Sequence, residues 1–141
     1  MMRLEHLNLV VNDLDTTLAF YQAAFPHWKV RGGGEGEWHG VQRKWIHFGG
    51  EYNYLSFNDN GKGKIRPIEG YDLGLAHFAY VVTNLDSLIK RLTSAGFEIA
   101  IVGGKDANYN SVYYIDPNGY EVEFVEYLTD IPSERNCYLS V

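Results

Sequence analysis

The sequence contains two copies of one ten-residue pattern, and this repeat decides the fold. Residues 6–15 read HLNLVVNDLD, and residues 77–86 read HFAYVVTNLD, a shift of 71 positions (77 − 6). Five of the ten positions are identical, and four of the other five keep their chemical type. Because two unrelated strands rarely agree at so many positions, we interpret the chain as two copies of one module.

Each copy predicts the same order of secondary structure. An apolar run typical of a β-strand is followed by Asx residues that can cap a helix, and then by apolar residues at helical spacing. The first predicted helix ends before Pro26 and the second at Gly96. Three short strands are predicted after each helix, at 28–31, 41–48 and 52–57 in the first copy and at 97–102, 111–115 and 121–127 in the second. The predicted fold class is therefore α+β, with two tandem βαβββ modules.

This pattern predicts a single domain over residues 1–141. Its first module covers about 4–57 and its second about 75–127. The stretch 58–74 is rich in Gly, Asn, Lys and Pro, which is typical of a linker. Residues 128–141 show no clear periodicity, and we expect this C-terminal tail to pack on the surface or at an oligomer interface.

Three glycine-containing stretches outside the repeat predict turns or loops. Residues 116–119 read DPNG, a tight-turn sequence that should join two antiparallel strands. The stretch 31–36 lacks the strand-to-helix setting of a dinucleotide-binding loop, and 61–64 lacks the spacing of a phosphate-binding loop. We expect both of the latter to be flexible loops.

Composition excludes several classes of function. Hydrophobic residues make up 45% of the chain and charged residues 21%, as in a globular protein with a packed core. The formal net charge of −6 disfavours nucleic acid as a partner. No apolar run is long enough to span a membrane or to form a signal peptide, so we expect a soluble, cytoplasmic protein. Because Cys137 is the only cysteine, a metal site would use His and carboxylate ligands.

Strand alternation predicts which side chains could form such a site. Leu7 and Leu9 should face the helix, which leaves His6 on the opposite face of its strand, and the same reasoning places His77 on the matching face. On the last strand Glu121 and Glu123 both share the face of the histidines. Two imidazoles and one carboxylate form a facial triad with open positions for an oxygen-bearing substrate. Alternation does not choose between the two glutamates.

The paired openings, the DPNG turn and the EVEF sequence that follows it resemble the vicinal oxygen chelate superfamily over residues 4–127. This superfamily includes glyoxalase I, extradiol dioxygenases, and fosfomycin- and bleomycin-resistance proteins. The resemblance implies a cup-shaped mixed β-sheet around a divalent Fe, Mn, Zn, Ni or Co ion. It implies His6, His77 and Glu123 as the metal ligands, with Glu123 favoured over Glu121 by its distance from the turn. It also implies a homodimer, in which His6 can lie across a subunit boundary from the other two ligands.

The resemblance implies a metal-dependent enzyme that binds vicinal oxygens of a small-molecule substrate, such as a dioxygenase, lyase or transferase. Ser56 occupies the position of the fourth ligand in glyoxalase I-like isomerases. Because a hydroxyl is a poor ligand and cannot act as their carboxylate base, isomerisation is disfavoured. The alternative is a small-molecule binding protein similar to bleomycin-resistance proteins, without catalysis.

Four further residues are candidate substrate-binding groups. Ser111 and Tyr113 resemble the Ser-x-Tyr of fosfomycin-resistance proteins, whose Tyr contacts substrate. Trp45 and His47 share one face of a predicted strand with Arg43 and could reach the same cup. The substrate itself, the reaction and the identity of the metal stay open at the level of the sequence.

Overall fold

The computed structural model describes residues 1–138 and divides into two compact units, Met1–Lys64 and Ile65–Val141. The boundary between the units lies within the predicted linker. Residues 139–141 of the predicted tail lie outside the described residues.

The first unit contains four strands and one helix. The elements are β1 (His6–Val10), α1 (Leu14–Ala24), β2 (Lys29–Trp38), β3 (Val41–Gly49) and β4 (Tyr54–Asn58). The strands form one sheet in the order β1-β4-β3-β2. Strand β1 runs parallel to β4, whereas the other two pairings are antiparallel.

The second unit repeats this arrangement. Its elements are β5 (Phe78–Val81), α2 (Leu85–Ser94), β6 (Ile101–Lys105), β7 (Tyr109–Ile115), β8 (Glu121–Tyr127) and α3 (Pro132–Arg135). The sheet order is β5-β8-β7-β6, and again the first strand is parallel to the last. The prediction of an α+β fold made of two βαβββ modules is therefore confirmed.

Each main helix begins at a predicted capping residue. The side chain of Asp13 accepts a hydrogen bond of 2.7 Å from the backbone N–H of Thr16, and this bond lowers the pKa of the Asp13 carboxyl. Asn84 accepts a bond of 3.0 Å from the backbone N–H of Ser87 in the same way. Both caps satisfy a donor that the first helical turn leaves without a partner.

Each sheet has a helix-facing side and a polar side. The residues between each sheet and its helix are almost inaccessible. On the strands they include Leu9, Phe48, Leu55, Phe57, Phe78, Val112, Val122 and Phe124, and on the helices Phe20, Tyr21, Leu88 and Leu92. Tyr21 of α1 contacts Phe57 of β4, with their ring centroids 5.0 Å apart. Burial of these apolar side chains supplies the main stabilisation of each unit. The opposite side of each sheet, which we call the polar face, carries His6 or His77.

The glycine-rich stretch 31–36 is part of strand β2, so the prediction of a flexible loop there was wrong. Gly34 pairs with Trp45 of β3. A Cβ atom at Gly34 would lie only 3.1 Å from the indole ring of Trp45, and one at Gly33 would lie 2.5 Å from the Trp45 carbonyl oxygen. The glycines therefore let β2 approach β3 and its large side chains closely.

Strands β6 and β4 begin later than predicted. In both cases the residues just before the strand form a turn that is closed by a backbone hydrogen bond. Phe97 does not start β6, since its N–H donates to the carbonyl of Leu92 and closes the end of α2. Tyr52 does not start β4, since the Gly50 N–H donates to the Asn53 carbonyl in a turn.

The predicted turn at 116–119 joins β7 to β8 as expected. The side chain of Asp116 accepts hydrogen bonds of 2.8 Å and 2.9 Å from the backbone N–H groups of Asn118 and Tyr120. Gly119 has φ +99°, which glycine adopts without strain. The other predicted loop, 61–64, lies outside the helices and strands.

Within residues 1–138, no helix combines the length and apolar character that crossing a membrane would require.

We expect Gly49→Ala to lower the free energy of unfolding by about 1–3 kcal/mol, because overpacking strains the surrounding backbone. A Cβ atom at Gly49 would lie 2.4 Å from the Asn53 carbonyl oxygen and 2.5 Å from the Tyr54 Cα. Chemical denaturation of both proteins measures the difference.

Gly36→Ala in strand β2 is the matched control. Nothing lies within 4 Å of a Cβ atom at Gly36, so this change should leave stability unchanged or raise it slightly. Equal stabilities for the two variants would contradict the packing described at Gly49.

Candidate functional site

The polar face of the second unit is organised around Glu123 of β8. The backbone registers place Glu123 opposite Ala79 on one side and opposite Tyr113 on the other. His77 immediately precedes β5, next to the start of β8 where Glu121 lies. Three of the predicted site residues, His77, Tyr113 and Glu123, therefore lie together.

The imidazole of His77 lies between two carboxylates. Its Nδ1 is 3.6 Å from Oε1 of Glu121, and its Nε2 is 3.3 Å from Oε2 of Glu123. The Glu121 side chain is 9% exposed, and its Oε2 is buried without a hydrogen-bond partner among the described residues. Because a buried carboxylate oxygen costs free energy unless it is paired, this cluster favours a cationic neighbour.

Tyr113 adds a proton donor to this cluster. Its ring meets that of His77 edge to face, with the centroids 5.3 Å apart. Burial raises the pKa of Tyr113 to about 12, assisted by the charge of Glu123 and a hydrogen bond to it. The phenol therefore keeps its proton near neutral pH and can donate it to a carboxylate or to a bound ligand.

His6 lies on the polar face of the first unit and has different neighbours. Its ring stacks on Tyr54 of β4, with centroids 4.7 Å apart and planes 12° from parallel. Its Nδ1 is 2.9 Å from Oε1 of Glu5, and the Tyr54 hydroxyl donates to the same oxygen at 3.4 Å. The hydrogen bond from His6 lowers the pKa of Glu5. This pairing holds the ring of His6 in one orientation, with Nε2 on the side of the ring away from Glu5.

Aromatic and basic side chains continue this polar face. The ring of His47 lies 4.4 Å from that of Tyr54 and 5.0 Å from that of Trp45, measured between centroids. The guanidinium carbon of Arg31 lies 4.5 Å above the centroid of Tyr54. Burial lowers the pKa of His47, and the nearby charges of His6 and Arg31 lower it further.

Of the remaining candidates, Ser111 lies on the polar side of β7 but is only 3% exposed. A Cβ atom added at Gly103 would clash with Oγ of Ser111, so strand β6 covers the Ser111 hydroxyl. Ser56 is 6% exposed and pairs with Asn8 and His47, the same register that Glu123 has in the second unit.

Residues 1–138 contain no group of three His, Cys, Asp or Glu side chains arranged to hold a metal ion. The ligand set His6, His77 and Glu123 stays a prediction.

Sequence reasoning did not identify Glu5, Arg31 or Tyr54 as members of these clusters. Glu5 precedes the first strand, Arg31 lies where a predicted strand meets a predicted loop, and Tyr54 lies in a predicted strand for which no face was analysed. The repeat could have identified Tyr54. When the two modules are aligned, Tyr54 takes the position beside His6 that Glu121 takes beside His77.

Comparison with known proteins identifies the architecture. A family model described as Glyoxalase/Bleomycin resistance protein/Dioxygenase superfamily matches residues 3–124. A search of curated proteins gave no match.

Among solved structures, the fold is similar to that of a glyoxalase family protein from Enterococcus faecalis, with 20% identity over 88% of this chain and 97% of the other, and a TM-score of 0.71. A glyoxalase/bleomycin resistance protein/dioxygenase domain from a Frankia species matches with 19% identity over 97% and 99% of the two chains, and a TM-score of 0.73. The fosfomycin resistance protein FosX from Listeria monocytogenes, in complex with Mn(II) and sulfate, matches with 20% identity over 96% and 98%, and a TM-score of 0.66. At these identities the likeness shows the fold alone.

We expect His47 to titrate below the ordinary value of 6.5, because burial disfavours its charged form. His6→Gln should raise the pKa of His47 by removing a neighbouring positive charge. NMR titration of the imidazole resonances, assigned with His47→Gln, measures both effects.

The sign of the linked stability follows from this direction. In the unfolded chain His47 takes up its proton first as the pH falls, so its contribution to stability is present above about pH 6.5 and is lost below it. His27→Gln is the control, because His27 is exposed and contributes no known contact to this cluster. A pKa of His47 at or above 6.5 would contradict the described environment.

Proposed function

Because the chain belongs to the Glyoxalase/Bleomycin resistance protein/Dioxygenase superfamily, we propose that it is a metal-dependent enzyme acting on a small molecule. In this proposal a divalent cation binds vicinal oxygens of the substrate, and His77 and Glu123 are two of its ligands. The observation that carries the proposal is the position of the His77 imidazole between the carboxylates of Glu121 and Glu123.

The spacing of these groups fits shared coordination of one ion. Two ligand atoms that each lie about 2.1 Å from a metal are about 3.0 Å apart at the octahedral angle and about 3.4 Å apart at the tetrahedral angle. Nε2 of His77 and Oε2 of Glu123 are 3.3 Å apart. This one pair of donor atoms therefore has a separation that shared coordination requires, and the remaining ligands belong to the proposal.

The carboxylates near Nδ1 of His77 and of His6 suggest which glutamates bind the metal and which orient a histidine. A metal-ligating histidine usually directs its other ring nitrogen to a carboxylate, which fixes the orientation of the ring. Nδ1 of His77 is directed to Glu121, and Nδ1 of His6 is directed to Glu5. We therefore assign Glu123 as the ligand and Glu121 and Glu5 as positioning residues.

His6 is proposed as a third ligand through its Nε2, supplied by the same chain or by a second copy. The expectation of a homodimer belongs to this proposal, and sedimentation of the purified protein tests it. Imidazole and carboxylate donors suit Fe, Mn, Zn, Ni and Co alike, so the donor set does not identify the ion.

A bound divalent cation would act as a Lewis acid that stabilises negative charge developing on substrate oxygens. The residues of this chain then have separate tasks. His77 and Glu123 hold the ion, and the protonated Tyr113 donates a hydrogen bond at the edge of the same cluster. Ser56 supplies no carboxylate base, which disfavours isomerisation and leaves dioxygenation, lyase chemistry and group transfer.

A binding protein without catalysis is the second candidate function, and the aromatic cluster of the first unit favours it. Trp45, His47 and Tyr54 form a continuous surface that can stack against a planar ligand, and Arg31 adds a positive charge. A ligand bound here with equal affinity in metal-free and metal-loaded protein would support this function over the first.

We expect Glu123→Gln to abolish measurable Mn²⁺ binding, because it replaces an anionic ligand by a neutral amide. Glu121→Gln should weaken binding by about 10- to 100-fold, the usual effect of losing a residue that orients a ligand. Calorimetric titration of chelator-treated protein with Mn²⁺ measures both. Mn²⁺ is the probe because the FosX structure contains it.

Glu126→Gln is the matched control, because Glu126 lies on the same strand as both glutamates but on its opposite face. It should leave Mn²⁺ affinity unchanged. Equal affinities for Glu123→Gln and Glu126→Gln would remove the metal centre from this cluster and with it the proposed mechanism.

A further inference from the structure

We propose that residues 128–138 form a strap that opens and closes over the polar face of the second unit, and that Arg135 is the latch that holds it closed. This strap follows β8 directly and contains α3. Its consequence for access to Glu123 rests on the proposed function. Its movement does not, because the contacts that define the strap lie within the second unit and involve no ligand.

The strap lies over the polar face with a space beneath it. Arg135, Cys137 and Tyr138 line a cavity of about 560 Å³ together with residues of β5 and β8. The residues of this group that lie on the polar face of the two strands are Ala79, Glu123 and Val125. The strap is therefore one wall of the space through which a molecule in solution reaches this part of the sheet.

The strap buries little apolar surface. No residue of α3 is buried, and the side chains of Leu128, Ile131 and Tyr138 are 54%, 52% and 77% exposed. Because apolar burial is the main source of stability, a segment that lacks it opens at a small cost in free energy. The strap should therefore detach locally while the sheet beneath it stays folded.

Internal bonds keep the shape of the strap. The Nε of Arg135 donates to the Thr129 carbonyl at 2.7 Å, and one Nη lies 2.7 Å from the Asp130 carboxylate. The Thr129 hydroxyl donates to the Glu134 carboxylate, and the Ile131 N–H donates to Oγ1 of Thr129 at 3.2 Å. Because these bonds join the start of the strap to α3, the strap can move as one body.

Three contacts tie the strap to the rest of the unit, among the hydrogen bonds, ion pairs and ring contacts of residues 1–138. At its base the Leu128 N–H donates to the Asn108 carbonyl at 2.7 Å. Farther along, the Asn108 side chain donates to the Glu134 carbonyl at 3.3 Å, and the guanidinium carbon of Arg135 lies 4.5 Å from the ring centroid of Tyr127. The first contact forms a hinge at the end of β8, whereas the other two hold α3 against the unit.

Arg135 is the latch because it takes part in both sets of contacts. Its guanidinium closes the strap on itself and also rests on Tyr127 of β8. Its ion pair with Asp130 contributes little, since the Asp130 side chain is fully exposed and solvent screens the pair. Loss of the guanidinium should shift the balance toward the open strap by about three- to tenfold, the effect of losing a partly exposed cation–π contact and a charged hydrogen bond.

A strap of this kind controls access to Glu123. A ligand can reach the polar face beneath the strap in proportion to the fraction of molecules in which the strap is open. In terms of the proposed function, the open strap admits the cation and the substrate, and the closed strap then keeps water away from them.

Hydrogen exchange of the full-length protein, followed by mass spectrometry, tests the movement and the latch. Arg135→Gln and Asn108→Ala each release one tie, and each should speed exchange within residues 128–138 by about three- to tenfold without changing the peptides of α2. Arg135→Lys should have a smaller effect, because it keeps the charge. Lys90→Gln, which removes an exposed cation of α2, is the control and should match the unmodified chain.

Alkylation by iodoacetamide tests whether the strap covers the polar face. Val125→Cys places a thiol beneath the strap, in a chain whose own cysteine is removed by Cys137→Ser. Val102→Cys is the matched control, because Val102 is 73% exposed on the helix-facing side of the same sheet. Addition of Arg135→Gln should speed alkylation at position 125 by about three- to tenfold and leave position 102 unchanged.

Faster exchange confined to the strap, together with faster alkylation at position 125 alone, supports the proposal. Unchanged exchange in both Arg135→Gln and Asn108→Ala would overturn it, and so would unchanged alkylation at position 125. Equal acceleration at positions 125 and 102 would also overturn it, because the whole unit would then be opening. Neither measurement uses a metal, so a failure of Mn²⁺ binding refutes the proposed function alone, and a failure of these two measurements refutes the strap alone.

Discussion

The parallel ladder between the first and the last strand of each unit determines what lies beside each histidine. Because β1 pairs with β4 and β5 with β8 in the same direction, the histidine that opens each module lies beside the start of the closing strand. The residue at that start, and the one two positions later, then share the face of the histidine. The nearest neighbours of each histidine across this ladder are therefore two residues of the last strand.

These two positions differ sharply between the units. In the second unit they are Glu121 and Glu123, which place two carboxylates against His77. In the first unit they are Tyr54 and Ser56, and His6 stacks on the tyrosine instead. One backbone thus supports an acidic cluster in one copy and an aromatic cluster in the other, so the duplicated modules retain their fold while their polar faces have different chemistry.

Local signals predicted much of this architecture. Asp13 and Asn84 marked the helix starts because a side-chain oxygen at that point can accept from an otherwise unpaired N–H of the first turn. Alternation placed His6 and His77 because a helix must cover the apolar face. The same reasoning failed where an interaction between strands decides the outcome. Gly34 lies in a strand, where the absence of a side chain leaves room for the indole of Trp45. Phe97 does not lie in a strand, because its N–H forms the hydrogen bond that closes the end of α2. The proposed division of roles between Glu121 and Glu123 depends on which nitrogen of His77 each carboxylate lies next to. That is a property of the folded geometry that the residue pattern does not contain.

The close packing of strand β2 on Trp45 has a consequence for how this protein could evolve. The indole rests directly on main-chain atoms, so its height above the sheet depends on the absence of a side chain at Gly34. Any larger residue there would displace the ring outward and make that end of the aromatic surface shallower. The shape of this surface could therefore diverge among descendants through a position that bears no side chain of its own.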